Sequence, residues 1–208
     1  MRIALAVAAL LSLAAPGTAA ALGPLRLGLE VYGGLDRYDA AGLKSGVDNL
    51  GGTDAVLEES SRHLGGLALL GLGGLSLGAL LEQGRPGDDA RTMTAGALVG
   101  FGFGSKVRLD LLGEVGGRRY GDFLRDPAVL ERSKDEVWLA YAGLRPGISW
   151  RSDGPVAVVI GLWAFARWDL NREDVRATVR PSSGPDVATD YELGGTSFGA
   201  SLRLGIEL

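Results

Sequence analysis

Arginines and carboxylates recur on one parity of the alternating stretches of this chain. Arg26, Arg108, Arg118, Arg145, Arg167 and Arg203 supply the positive side. Glu30, Asp36, Glu82, Asp110, Glu114, Asp169 and Glu207 supply the negative side, and the two nearly balance. A guanidinium carries five N–H donors in a rigid fork that fits a carboxylate. The chemistry such a set supports is mutual neutralisation in a narrow space where water is scarce.

Other candidates for chemistry are weaker. His63 is the single histidine, and Ser60 and Ser61 stand just before it. A base so near its nucleophile in sequence is geometrically awkward, so His63 is expected as a polar rim residue. Asp48, Asp54, Glu58 and Glu59 would sit in one connection, but without the Asp-x-Asp-x-Asp-Gly spacing of a calcium loop. They read as a solvated loop. The run "GFGFG" at residues 100–104 precedes no helical pattern, so it is not a dinucleotide fingerprint. Arg118, Arg119, Arg125 and Arg132 fall near a strand end, where they would meet lipid phosphates. With no cysteine, neither a disulfide nor a thiolate metal site can form. With 21 basic and 25 acidic residues and a net charge of -4, nucleic acid is not expected as a partner. No cofactor or metal is expected.

The elements that would position the paired charges are strands. Period-two alternation marks residues 25–38, 64–72 and 75–83. It continues through the two halves of 92–122 on either side of Gly104-Ser105, and through 136–150, 155–170 and 191–208. Residues 64–81, "LGGLALLGLGGLSLGALL", are also long enough for a membrane helix. Six glycines lie in that run, each costing about 1 kcal/mol relative to alanine in a helix. It is read instead as a hairpin around Gly73-Gly74.

Gly73-Gly74, Gly104-Ser105-Lys106 and Ser152-Asp153-Gly154 make short turns. Residues 39–63, 84–91, 121–135 and 171–190 make longer polar connections. Long and short alternate along the chain, so an up-and-down meander gathers all long connections at one end. Outer-membrane barrels have that asymmetry.

Which face is wet follows from the side chains. The polar parity is Gly, Ala and Ser interrupted by Arg, Asp and Glu, with lysine nearly absent from the strands. The opposite parity is Leu, Val, Ala, Ile and Phe. A lipid-facing band is expected to be apolar. The lumen of a narrow barrel has room for side chains and little else, and the 34 glycines of the chain would make space there for Arg, Tyr and Trp. Trp138, Trp150 and Trp168 lie near strand ends, as interfacial belts require. The expectation is an all-β, eight-stranded antiparallel up-and-down transmembrane β-barrel. Its lumen charge network would comprise Arg26, Glu30, Arg108, Asp110, Glu114, Arg118, Arg145, Arg167, Asp169, Arg203 and Glu207.

On these features the chain resembles the small eight-stranded outer-membrane β-barrel proteins of Gram-negative bacteria, over about residues 25–208. The final stretch "ASLRLGIEL" is similar to the C-terminal strand signal that the barrel-assembly machinery reads in that family, with Leu208 where Phe or Trp is usual. The resemblance implies partners in outer-membrane lipid, lipopolysaccharide and, during biogenesis, the assembly machinery. A monomer is expected.

At the N-terminus, Arg2, the apolar run 3–15, Pro16-Gly17 and the small residues of 18–21 form a secretory signal pattern. The expected organisation is a signal peptide over 1–21 and a barrel domain over 22–208, exported to the outer membrane with the N- and C-termini of the barrel on the periplasmic side. The expected function is non-enzymatic, structural or loop-binding. A rim-site lipid hydrolase, a narrow pore and a periplasmic lipid-holding barrel stand as alternatives.

Overall fold

A computed structural model describes residues 25–38, 60–86, 90–123, 129–180 and 184–208. The expected signal segment, Asp48, Asp54, Glu58, Glu59 and Arg125 lie outside the described residues. The strands are β1 (Leu25–Tyr38), β2 (Ser60–Leu72), β3 (Leu75–Pro86), β4 (Arg91–Phe103), β5 (Val107–Gly121) and β6 (Val129–Arg132). They continue with β7 (Glu136–Arg151), β8 (Ala157–Asp169), β9 (Glu173–Val179), β10 (Val187–Leu193) and β11 (Thr196–Glu207).

Eight of these close an antiparallel barrel in the order β1-β11-β8-β7-β5-β4-β3-β2. Closure comes from β1 against β11, in register from Gly28↔Glu207 to Tyr38↔Ser197. Closing the sheet leaves no open edge among these strands, so the ladder satisfies their backbone groups. The run 64–81 forms the β2–β3 hairpin, with Leu72 opposite Leu75 and Gly73 at a positive φ of 62°. The turn after β4 likewise uses Gly104, at φ 104°.

The alternation decides which side chains enter the barrel. Along β7, Val137, Leu139, Tyr141, Arg145 and Ser149 are buried, while Trp138, Ala140, Leu144, Ile148 and Trp150 are exposed. Inward glycines make room for bulk. A Cβ at Gly147 would collide with the Trp163 ring, and one at Gly102 with the Arg108 guanidinium.

Two of the expected polar connections are instead structured. β10, β9 and β6 form a separate three-stranded sheet beyond the long-connection end. Residues 191–193, expected at the start of the last barrel strand, belong to β10; Gly194, at φ 122°, separates β10 from β11. The reason lies in a short alternation. Val175, Ala177 and Val179 of β9, with Tyr191 and Leu193 of β10, share one face and are buried. They pack on Tyr120, Val137 and Leu139, where β5 and β7 rise past the charged interior, and on Phe123. This sheet, the cap, has its own apolar core.

Candidate functional site

The barrel interior holds its charges in layers. In the central layer, β8 carries Arg167 and β7 carries Arg145; both are fully buried. Arg167 donates from Nε to Glu114 Oε1 (2.5 Å) and from its terminal nitrogens to the two oxygens of Glu82 (2.5 and 2.9 Å). Arg145 donates from Nε to Glu114 Oε2 (3.1 Å). Tyr32 donates its hydroxyl to Glu82 Oε2 (3.0 Å). Aromatic faces cover the guanidinium planes: Arg167 lies 4.4 Å from the centre of the Phe165 ring, and Arg145 lies 5.0 Å from that of Tyr32. Two cations and two carboxylates are thus neutralised with multiple hydrogen bonds, the condition under which buried ion pairs are tolerated.

Toward the cap, Arg118 donates to Tyr120 Oη (3.1 Å) and Ser197 Oγ (3.0 Å) and lies 3.6 Å from Asp169. Tyr120 and the backbone N–H of Gly195 both donate to Asp169 Oδ2 (3.0 and 3.1 Å). Toward the short turns, Arg203 stacks 4.1 Å from the centre of the Trp163 ring and donates to Asp110 (3.1 Å). Arg108 donates to Asp110 (2.6 Å) and to Ser76 (2.9 Å), and Glu30 stands 3.5 Å from Arg203. At the mouth, Arg26 and Arg151 both face Glu207, at 3.8 and 3.1 Å. Between these mouth groups and the Arg203 layer the free space is about 20 Å³, room for roughly one water molecule.

The interior therefore gathers Arg26, Glu30, Arg108, Asp110, Glu114, Arg118, Arg145, Arg167, Asp169, Arg203 and Glu207 into contacts that run from mouth to cap. Sequence reasoning missed Arg151 and Trp163. Both share the parity of their inward neighbours, Ser149 and Phe165, and that parity was the available signal. The apolar partners Leu67, Leu80, Leu98 and Leu112 also face inward, packed with Tyr32 and Trp163.

His63 corrects an expectation. It is not a wet rim residue; it is buried inside the barrel because it shares the inward parity of Ser61 and Leu67. Its Nδ1 stands 3.5 Å from Asp36, and its ring meets Phe165 edge-on at 5.3 Å. No hydroxyl is hydrogen-bonded to either ring nitrogen, and the Ser61 hydroxyl is turned to the Arg62 carbonyl (3.3 Å). A nucleophile–base pair is therefore not assembled at His63 among the described residues.

Of the arginines expected at the rim, Arg118 points inward, Arg119 pairs outward with Glu136, and Arg132 donates to Asp135 and to the Phe123 carbonyl. The cap's outer face is laced with ion pairs: Arg172–Glu192, Lys134–Glu173 and Arg180–Asp186. The Arg180 hydrogen bond holds Asp186 below the usual carboxylate range, and burial raises the Tyr191 hydroxyl.

No family model matches the chain, and no curated protein matches it. Among solved structures, it is similar to an acetoacetate decarboxylase-like enzyme from Sphingomonas wittichii RW1. The identity is 13% over 88% of this chain and 92% of that one, with a TM-score of 0.13. So slight a likeness carries no argument about fold or activity.

Proposed function

We propose that the chain is an integral outer-membrane β-barrel protein, non-enzymatic, whose role is structural or exerted through its long-connection end. The observation that carries this reading is the polarity of the barrel wall. Arg118, Arg145 and Arg167 are 0% exposed, whereas Leu109, Val158 and Leu204 are 56%, 42% and 53% exposed. Proteins that live in water rarely expose apolar patches beyond a few hundred Å². Here the outward face is apolar on all eight strands.

Dimensions support the same reading. A membrane strand needs about 9–11 residues, and the barrel strands have 12 to 16. Aromatic residues flank the apolar band: Trp138, Trp168 and Phe198 toward the cap, and Phe101, Phe103 and Trp150 toward the short turns, all exposed. The charge-filled interior and the cap argue against a pore, and among the described residues paired arginines occupy the interior where a periplasmic lipid carrier would need an apolar chamber.

The test is fractionation of expressing cells, followed by electrophoresis with and without boiling. The reading predicts partition with the outer membrane and a shift in migration on heating. Recovery in the soluble fraction with one heat-insensitive band would reject it.

A further inference from the structure

Inside the barrel one carboxylate lacks what the others have. Each of the other interior acids touches an arginine. Asp36 of β1 has no arginine within ion-pair distance among the described residues. Its neighbour is His63 of β2, with Nδ1 3.5 Å from Asp36 Oδ1 and both side chains shut off from solvent. Neither carboxylate oxygen and neither ring nitrogen has a hydrogen-bond partner. A carboxylate buried without a cation or a donor is strongly unfavourable. The neighbouring layers do not supply the missing charge. Arg145 and Arg167 are matched by Glu82 and Glu114, and Arg118 is matched by Asp169.

The separation within the pair is informative too. At 3.5 Å the two atoms share no hydrogen bond. Two donors on one tetrahedral zinc ion, at about 2.0–2.2 Å each, lie about 3.3–3.5 Å apart. Hydroxyl oxygens stand close by. Ser61 is the partner of Asp36 in the β1–β2 register, and Gly84 of β3 lies opposite His63. A Cβ on Gly84 would stand 2.4 Å from Thr92 Oγ1 and 3.3 Å from Ser61 Oγ, so the glycine leaves both hydroxyls room. The Phe165 ring meets the imidazole on another side.

We infer that Asp36 and His63 bind one divalent cation of the zinc class, through a carboxylate oxygen and Nδ1. Imidazole nitrogen with carboxylate oxygen suits zinc, whereas calcium and magnesium take oxygen donors. No group of three or more His, Cys, Asp or Glu side chains gathers among the described residues, so the Ser61 hydroxyl and water complete the shell. The cation supplies the charge that Asp36 lacks and engages Nδ1, and the ring proton then resides on Nε2. The site lies in the lumen, so the inference stands whether the outer wall meets lipid or water.

The test uses the untagged full chain folded in detergent micelles. His63 is the single histidine, so isotope labelling of histidine ring nitrogens gives one imidazole to follow by nuclear magnetic resonance. One equivalent of zinc should shift the Nδ1 resonance. Cobalt(II) in its place should give the visible absorption of a four-coordinate site, and zinc should displace it. Asp36→Asn and His63→Gln should each weaken zinc binding about tenfold or more. Glu192→Gln, on the exposed face of the cap, should leave it unchanged. The wild-type resonance is a readout that depends on no variant folding. An imidazole resonance unmoved by zinc would overturn the inference. So would equal zinc affinity in wild type and both pair variants, which would mean that the metal sits on surface carboxylates.

Discussion

The barrel and the cap are built from the same period-two alternation, yet they sort their side chains in opposite ways. In the cap, Val175, Ala177, Val179, Tyr191 and Leu193 are buried, and Arg176, Asp190 and Glu192 face outward. In the barrel, Arg118, Arg145, Arg167 and Glu114 are buried, and Leu109, Leu162 and Leu204 face outward. Alternation alone therefore does not say which face is apolar; the surroundings of each sheet do. The cap follows the rule for a sheet with one face in water. The barrel has the polarity that the proposed membrane setting requires, that of a sheet whose outer solvent is hydrocarbon. One chain thus holds its own control for the membrane reading.

The largest effect is expected inside the barrel. Glu114→Ala strips a shared carboxylate from Arg145 and Arg167 and leaves buried guanidinium donors without acceptors. Removing one partner of a buried pair costs about 3–5 kcal/mol, to be read from denaturant unfolding of protein folded into lipid vesicles. A next, smaller effect separates the two outer faces. Leu162→Arg on the barrel wall should cost about 2–4 kcal/mol if the position lies near the bilayer midplane. Ala188→Arg, exposed on the cap, should stay within about 0.5 kcal/mol in the same assay.

Much of this contrast was legible in the sequence. Parity separated Arg108, Asp110 and Glu114 from Leu109, Leu111 and Val115 on β5, and the short Gly-bearing turns announced the meander. The cap was not legible. Residues 173–179 and 187–190 read as part of one polar connection and 191–193 as the start of the last barrel strand, although Val175, Ala177 and Val179 alternate. What makes them strands is non-local: β9 pairs with β6, about forty residues earlier, and buries its apolar face on Tyr120 and Leu139. His63 was misplaced for a related reason. Its position at a strand end suggested the rim, but a strand that continues beyond it to Ser60 turns His63 inward. The stacking of Arg203 of β11 on Trp163 depends on the pairing of β11 with β8, which local spacing does not carry, whereas Arg167 and Phe165 stand two residues apart on β8.

Two smaller effects sharpen the cap's side of the comparison. The Tyr191 hydroxyl is buried without a hydrogen-bond partner. Tyr191→Phe should therefore leave stability unchanged or slightly raised, within about 0.5 kcal/mol, as judged by the rate at which a protease clips the cap. The Asp186 carboxyl, held below its ordinary value by Arg180, stabilises the folded cap above that ordinary value. The contribution fades as pH falls through the lowered pKa, because the protonated acid no longer accepts the Arg180 pair as a charge. Protease protection near residue 186 should fall on acidification in wild type and less so in Asp186→Asn. The effect should be small and sensitive to salt, since the pair is exposed.

The central claim is that the barrel's apolar parity touches hydrocarbon while the cap's polar parity touches water. The chain has no cysteine, so single cysteines can be placed at will and labelled with an environment-sensitive fluorophore in protein reconstituted into bilayers of brominated phospholipid. The account predicts strong quenching by the acyl-chain bromines at Ile160→Cys and Leu162→Cys, and little at Ala188→Cys, which aqueous iodide should quench instead. Iodide quenching at all three sites, with none from the lipid, would contradict it.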